Sequence, residues 1–70
     1  MSAEEMLDAC FTYHPPTGNQ TDRYQEIRDA AKAFARVILE NTPDCRDQSA
    51  AIRKVREAVM TANAAIACNE

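Results

Sequence analysis

Two stretches of the 70-residue chain repeat apolar positions on a helical period. In the first, Tyr24, Ile27, Ala31, Phe34 and Ile38 recur at spacings of 3, 4, 3 and 4. This is the pattern of a seam along one side of a helix. In the second, Ile52, Val55, Val59, Ala62 and Ile66 repeat the same spacing. Between them "NTPD", residues 41–44, breaks the helix at Pro43, because proline has no N–H to donate and its ring clashes with the preceding turn. Asp44 with Asp47 suits the opening of the next helix, where the dipole favours negative charge. Two equal periodic segments joined by a short break predict an all-α fold, an antiparallel helical hairpin of two long helices. No strand signal, linker, long-period repeat or low-complexity tract interrupts it.

Ahead of the hairpin, residues 3–9 have the length for one or two helical turns. "FTYHPPTGNQ", residues 11–20, cannot continue them. Pro15 and Pro16 push the residues before them toward extended geometry. Thr17 with Gln20 three residues on makes a capping-box pattern, and Asp22 adds charge to the first turn. The expected organisation is one domain over 1–70. It has a short N-terminal helix at 1–10, a non-helical segment at 11–17, helix one at 18–41 and helix two at 45–67.

A second stripe on helix two, Ala51, Ala58, Ala62 and Ala65, would let another helix approach closely, or would simply raise helix propensity. Size decides between these. A chain of this length buries only about 60% of its unfolded surface, and ordering it costs roughly 100 kcal/mol. The three cysteines, Cys10, Cys45 and Cys68, form no CxxC pair. With a single histidine they match no zinc-binding pattern, and they read as reduced thiols. No metal or cofactor is expected. Self-association is the remaining source of stability, so the hairpin is expected to assemble into a homo-oligomer.

No apolar run approaches the roughly 20 residues of a membrane span, and the acidic start "MSAEEMLDAC" is unlike a signal peptide. An intracellular protein without a membrane partner is expected. The net charge of −3 argues against duplex DNA as a partner. The charge is unevenly placed, with all eight Lys and Arg between Arg23 and Arg56 and three acids in the first ten residues.

The chemistry-bearing residues do not suggest an enzyme. His14 is alone, no Ser or Cys sits in a nucleophile motif, and a single glycine excludes a glycine-rich phosphate loop. Paired acids such as Glu4 and Glu5 fit caps and solvated faces. Binding is better supported. Arg28, Lys32 and Arg36 are four apart and drift about 40° per step from the seam, a basic line beside an apolar one. Arg56 and Asn63 hold the matching flank of helix two. For Arg28 the periodicity leaves a ligand contact and a surface ion pair equally open, and Asn63 could equally be a buried registry residue. Residues 11–20 shift the balance. They hold two of the four aromatics, the only histidine, two of the three prolines and the only glycine. A ring braced by prolines is a stacking platform, worth ~1–3 kcal/mol per stacked base. A nearby guanidinium can hold phosphate through paired hydrogen bonds. Tyr13 reads as the ligand contact, whereas Phe11 reads rather as a plug over the hairpin end.

"FTYHPPTGNQTDRYQEIRDAA", "NTPDCRDQSAAIRK" and "EAVMTANAAIA" together resemble the phage anti-CBASS cyclic-nucleotide sponges, whose helical hairpin is shared with the Thoeris anti-defence sponges. The resemblance runs from Phe11 to about Glu70, and "FTYHPP" with "AVMTANAAIA" are its specific parts. It implies a protein that sequesters host cyclic oligonucleotide second messengers uncleaved, cyclic dinucleotides such as cGAMP, with cyclic trinucleotides also held by some members. CBASS effectors then stay silent in the cytoplasm of the infected bacterial host. It implies homohexamers built from hairpin dimers, with a dimer as the minimum and dinucleotide pockets between protomers. The base-stacking tyrosine falls on Tyr13 and its basic partner on Arg28. His14 and Phe11 join the pocket wall by adjacency to Tyr13, and Lys32 by its place on the basic line. Many relatives are basic near the C-terminus, where this chain reads "ACNE", and Cys68 there counts against a separate trinucleotide site. Residues 11–17 would then be a ligand lip.

The competing reading is a small helical phage adaptor that binds a host protein through the alanine flank, with no nucleotide. An adaptor has no need of Tyr13 beside a basic line. A non-specific single-strand binder is weaker still, since the chain is acidic and poor in aromatics.

Overall fold

The computed structural model describes residues 2–70. They form three helices, α1 (Ala3–Phe11), α2 (Gln20–Asn41) and α3 (Arg46–Asn69), with no strand among the described residues. The expected N-terminal helix at 1–10 includes Met1, which lies outside the described residues. α2 and α3 pack on each other as the hairpin, and α1 lies against α3.

Local chemistry sets each boundary. Ser2 caps α1, its hydroxyl accepting from the Glu5 N–H at 3.1 Å, which satisfies one of the unpaired donors of a first turn. The capping box expected at Thr17 forms only in half. Gln20 Oε1 accepts the Thr17 N–H at 3.1 Å. Asn19, however, flanks α2, with no side-chain cap bond. The reason is Gly18, whose φ of 56° makes a turn in the left-handed region, closed by the Gln20 N–H on the Thr17 carbonyl at 3.0 Å. Glycine adopts that conformation without steric penalty, and the turn delays the helix to Gln20.

At the closed end, residues 42–45 separate the two long helices. Asn41 Nδ2 donates to the Val37 carbonyl at 2.8 Å and Thr42 Oγ1 to the Ile38 carbonyl at 2.6 Å, occupying acceptors that a last turn leaves open. Gln48 Nε2 reaches back to the Thr42 carbonyl and hydroxyl at 3.2 and 3.1 Å. Cys45, not Asp44, flanks α3, and Asp47 sits in its first turn.

The core is thin. Ile66, at 8% exposure, is the buried hydrophobic residue among those described. Ile52, Val55, Val59 and Ala62 of the α3 seam are half-buried, as are Tyr24, Ile27, Ala31 and Ile38 on α2. Phe34 departs from the seam pattern at 57% exposure, while Ala35 beside it is half-buried. A hairpin covers only one side of each seam, and the larger ring is left on the open side.

Candidate ligand-binding site

The lip and the basic line are distinct surfaces of the single chain. Residues 12–19 carry no helix. Phe11 and Tyr13 stand out from them at 83% and 82% exposure. Phe11 therefore does not plug the hairpin end. The segment is anchored from both sides. The Thr12 N–H donates to the Asp8 carbonyl at 3.1 Å, and His14 Nε2 lies 2.6 Å from the Ala9 carbonyl and donates to it. This fold-back puts His14 on the end of α1, where its ring nitrogen takes up a terminal helix acceptor. Tyr13 is held between this anchor and the two prolines with its ring in solvent.

Arg28 and Lys32 are exposed on α2. Arg28 Nη2 donates to Gln25 Oε1 at 3.2 Å, and Gln25 in turn donates to Asp29 Oδ1 at 2.8 Å. Arg28 thus meets a neutral amide, and neither it nor Lys32 is in an ion pair among the described residues. No hydrogen bond joins the lip to Arg28 or Lys32 among the described residues.

A different cluster closes the open end of the hairpin. Arg23 donates through Nη1 and Nη2 to Glu70 Oε1 and Oε2 at 2.7 and 2.6 Å, a two-point clamp of guanidinium on carboxylate. The hydrogen-bonded Arg23 lowers the Glu70 pKa from its ordinary value, and Glu70 raises that of Arg23. Gln20, buried to 7% exposure, adds a bond from Nε2 to Glu70 Oε1 at 3.4 Å. The same Gln20 accepts from Thr17, so the base of the lip, the start of α2 and the end of α3 share one network. The periodicity contained no sign of this cluster, because its partners lie 47 residues apart.

An apolar concavity lies elsewhere. A groove of about 720 Å³ runs between α2 and α3, walled by residues including Ile27, Phe34, Ile38, Val55, Ala58 and Val59. Lys54 contributes the charge on its wall, and none of Phe11, Tyr13, His14, Arg28 or Lys32 lines it. Three of its wall residues, Ala51, Ala58 and Ala62, belong to the alanine stripe. Asn63, on the same helix, has a buried Oδ1 with no hydrogen-bond partner among the described residues. No three His, Cys, Asp or Glu side chains among the described residues come close enough to share a metal ion. No helix among them is long and apolar enough to cross a membrane.

A family model described as the Acb2/Tad1 hairpin domain matches residues 6–67. That span takes in most of α1, the whole lip, all of α2, and α3 up to its last two residues. No curated protein and no solved structure matches the chain.

Proposed function

The chain belongs to the Acb2/Tad1 hairpin family, a family of phage anti-defence sponges that bind rather than catalyse, and from that premise we propose that it sequesters host cyclic oligonucleotide messengers, cyclic dinucleotides such as cGAMP first among them. The observation that carries this reading is Tyr13, held in solvent at 82% exposure on a segment braced by Pro15 and Pro16. A large aromatic ring that packs on nothing contributes little to the fold. Pre-positioned, it offers a base a stacking surface without a large ordering penalty. Arg28, engaged only by a neutral amide, is free to take a phosphate. Lys32 extends the positive line, and His14 and Phe11 border the stacking ring. Capture takes place in the cytoplasm of the infected host, where the messengers are made, and withholds them from CBASS effectors.

The site is completed by a second protomer. For 70 residues a compact chain has a radius of gyration near 11 Å. This one measures 15.2 Å, with extents of 44 × 27 × 16 Å. Its accessible surface of 5609 Å² exceeds by roughly 1200 Å² that of a compact monomer of the same mass. A stable interface removes about 800 Å² per partner. The apolar groove, exposed Phe34, Val37, Leu39 and Met60, and the orphaned Asn63 Oδ1 are where that area lies. A two-fold assembly through this face brings the lip of one protomer to the basic line of another, and a symmetric cyclic dinucleotide then meets equivalent groups on both sides. The dimer is the minimum unit and a hexamer the favoured assembly.

The test is calorimetric titration with a panel of cyclic di- and trinucleotides, and a linear dinucleotide as control. A cyclic dinucleotide should bind, and chromatography of the denatured complex should return it intact. If no cyclic oligonucleotide binds, the sponge reading fails. The apolar groove then becomes the docking face of a helical adaptor for a host protein.

A further inference from the structure

Exposure changes abruptly at the start of α2. Residues 11–19 are all exposed, and Gln20 is buried. A glutamine in a first helical turn can serve as a cap from solvent. Burying its amide is costly unless both ends find partners, and here both do. Oε1 accepts the Thr17 N–H at 3.1 Å, and Nε2 donates to Glu70 Oε1 at 3.4 Å. The first bond is local. The second spans 50 residues and has no part in capping. Glu70 is itself fixed from α2, because Arg23 grips both of its oxygens at 2.7 and 2.6 Å. Arg23 Nη1 also donates to Asn19 Oδ1 at 3.5 Å. The clamp therefore reaches the Gly18 turn through Asn19 as well as through Gln20. Both clamp side chains are more than a third exposed. Solvent screening leaves such a pair little to contribute to stability, whereas its two-point geometry fixes direction.

We propose that Gln20 is the positioning residue of the ligand lip, coupling the trailing end of the lip at Thr17 to the Arg23–Glu70 clamp, so that the end of α3 sets how Tyr13 is presented. Gln20 acts through Thr17, and no ligand contact is assigned to it.

The coupling can reach Tyr13 because the chain between is stiff. Pro15 and Pro16 join Thr17 to His14. Each proline fixes its own φ and restricts the residue before it to extended geometry. Residues 14–16 are therefore a short strut with few free torsions, which passes on the orientation of its root. The far end of the lip is held on α1, by the Thr12 N–H on the Asp8 carbonyl and by the His14 ring on the Ala9 carbonyl. Without the Gln20 bonds the lip is anchored on α1 alone. With them both ends are fixed, and Tyr13 stands on a segment with little left to order. Less freedom is then lost when a ligand is captured. This consequence for affinity rests on the sponge reading; the coupling of Glu70 to Thr17 does not.

Exchange of the Thr17 amide with solvent, followed by NMR on the full-length protein, reads the coupling directly. In the parent this amide should be protected. Glu70→Ala removes a side chain at the far end of the hairpin, and a purely local cap would leave the Thr17 rate unchanged. The rate should instead rise about fivefold, the worth of one hydrogen-bonded link. Glu70→Gln is the conservative rescue. Its amide oxygen can still accept from Gln20 Nε2, and its Thr17 rate should stay within about twofold of the parent. Gln20→Leu fills similar space without either bond and should lose the protection. Titration of cGAMP should show about fivefold weaker binding by Glu70→Ala and about tenfold by Gln20→Leu, the effect of freeing roughly one residue. Circular dichroism confirms that each variant is folded. If Gln20→Leu unfolds, Glu70→Ala decides, since Glu70 only flanks the end of α3. An unprotected Thr17 amide in the parent, or an unchanged rate in Glu70→Ala, overturns the coupling. Glu70→Gln exchanging as fast as Glu70→Ala overturns Gln20 as the link. A faster Thr17 amide with unchanged cGAMP affinity overturns the positioning of the lip. If the parent binds no cyclic nucleotide, the sponge reading fails, and the exchange rates still decide the coupling.

Discussion

Replacing Tyr13 by alanine should separate binding from folding. The ring is 82% exposed, and its hydroxyl has no hydrogen-bond partner among the described residues. Removing a side chain that touches so little should leave stability within about 0.5 kcal/mol. The lip keeps its course without it, since Thr12, His14 and the two prolines hold the backbone. The expected loss is therefore confined to ligand. One stacked base is worth ~1–3 kcal/mol, or roughly a 5- to 150-fold weaker Kd. In a two-fold pocket both rings vanish together, and the factors multiply to about 25-fold at the low end. Titration calorimetry with the preferred cyclic dinucleotide measures this. A thermal melt on the same sample checks the fold. Arg36→Ala is the control, because Arg36 lies about 120° from Tyr24 around the helix, further round than Arg28 and Lys32. Parent-like affinity for Tyr13→Ala refutes the stacking argument. If Arg36→Ala alone fails to bind, the pocket lies further round α2 than Arg28 and the residue assignment is wrong.

Arg28→Ala should weaken the same ligand by ~1.5–3 kcal/mol, the loss of a charge-assisted phosphate contact; an unchanged calorimetric Kd rejects that role. Ala58→Glu sets a carboxylate on the wall of the apolar groove, where desolvation without a partner is costly. Light scattering should then report dissociation to monomers, or circular dichroism a loss of helix, and an intact oligomer places the interface elsewhere. The Glu70 pKa is lowered from its ordinary value of 4.5. The stability contributed by its pair with Arg23 is therefore present above that value and disappears as pH falls below it. Melts between about pH 5.5 and 3 should show this loss in the parent and a shallower one in Glu70→Gln; parallel curves would mean that the clamp does not hold the hairpin end.

The parts of the fold that could be read from sequence are those whose cause is local. Seam spacing follows from the helical period, and the break at Pro43 from a missing N–H, so both long helices and the turn at 42–45 were visible in one dimension. α2 starts two residues later than the capping pattern predicts because a left-handed turn at Gly18 competes with the capping box. Phe34 keeps the seam spacing yet stays exposed, because heptad spacing identifies the side of a helix that is apolar, not whether anything covers it. The same limit holds for the site. Tyr13 and the basic line are legible as residue types in suspicious positions. The Gln20–Arg23–Glu70 clamp joins distant parts of the chain, and no periodicity carries such a pairing.

The thin core and the exposed lip have a common physical origin. A two-helix hairpin has one partner for each apolar seam, so half of every seam faces outward. Phe34, Val37, Leu39 and Met60 are left uncovered. A single chain of this size gains little stability unless that face is shared. Evolution could have thickened the seam instead, but a self-sufficient monomer would offer a cyclic ligand only one face. If that face is shared between protomers, as proposed, the ligand site and the fold depend on the same association. The lip would then be free to carry an exposed ring, the stability it forgoes coming from the interface. Tyr13→Ala and Ala58→Glu are therefore linked. The first should remove binding from an intact assembly, and the second should remove binding by removing the assembly, with Tyr13 and Arg28 both still in place. A monomeric Ala58→Glu protein that retained full helix and full affinity would show that the pocket closes within one chain.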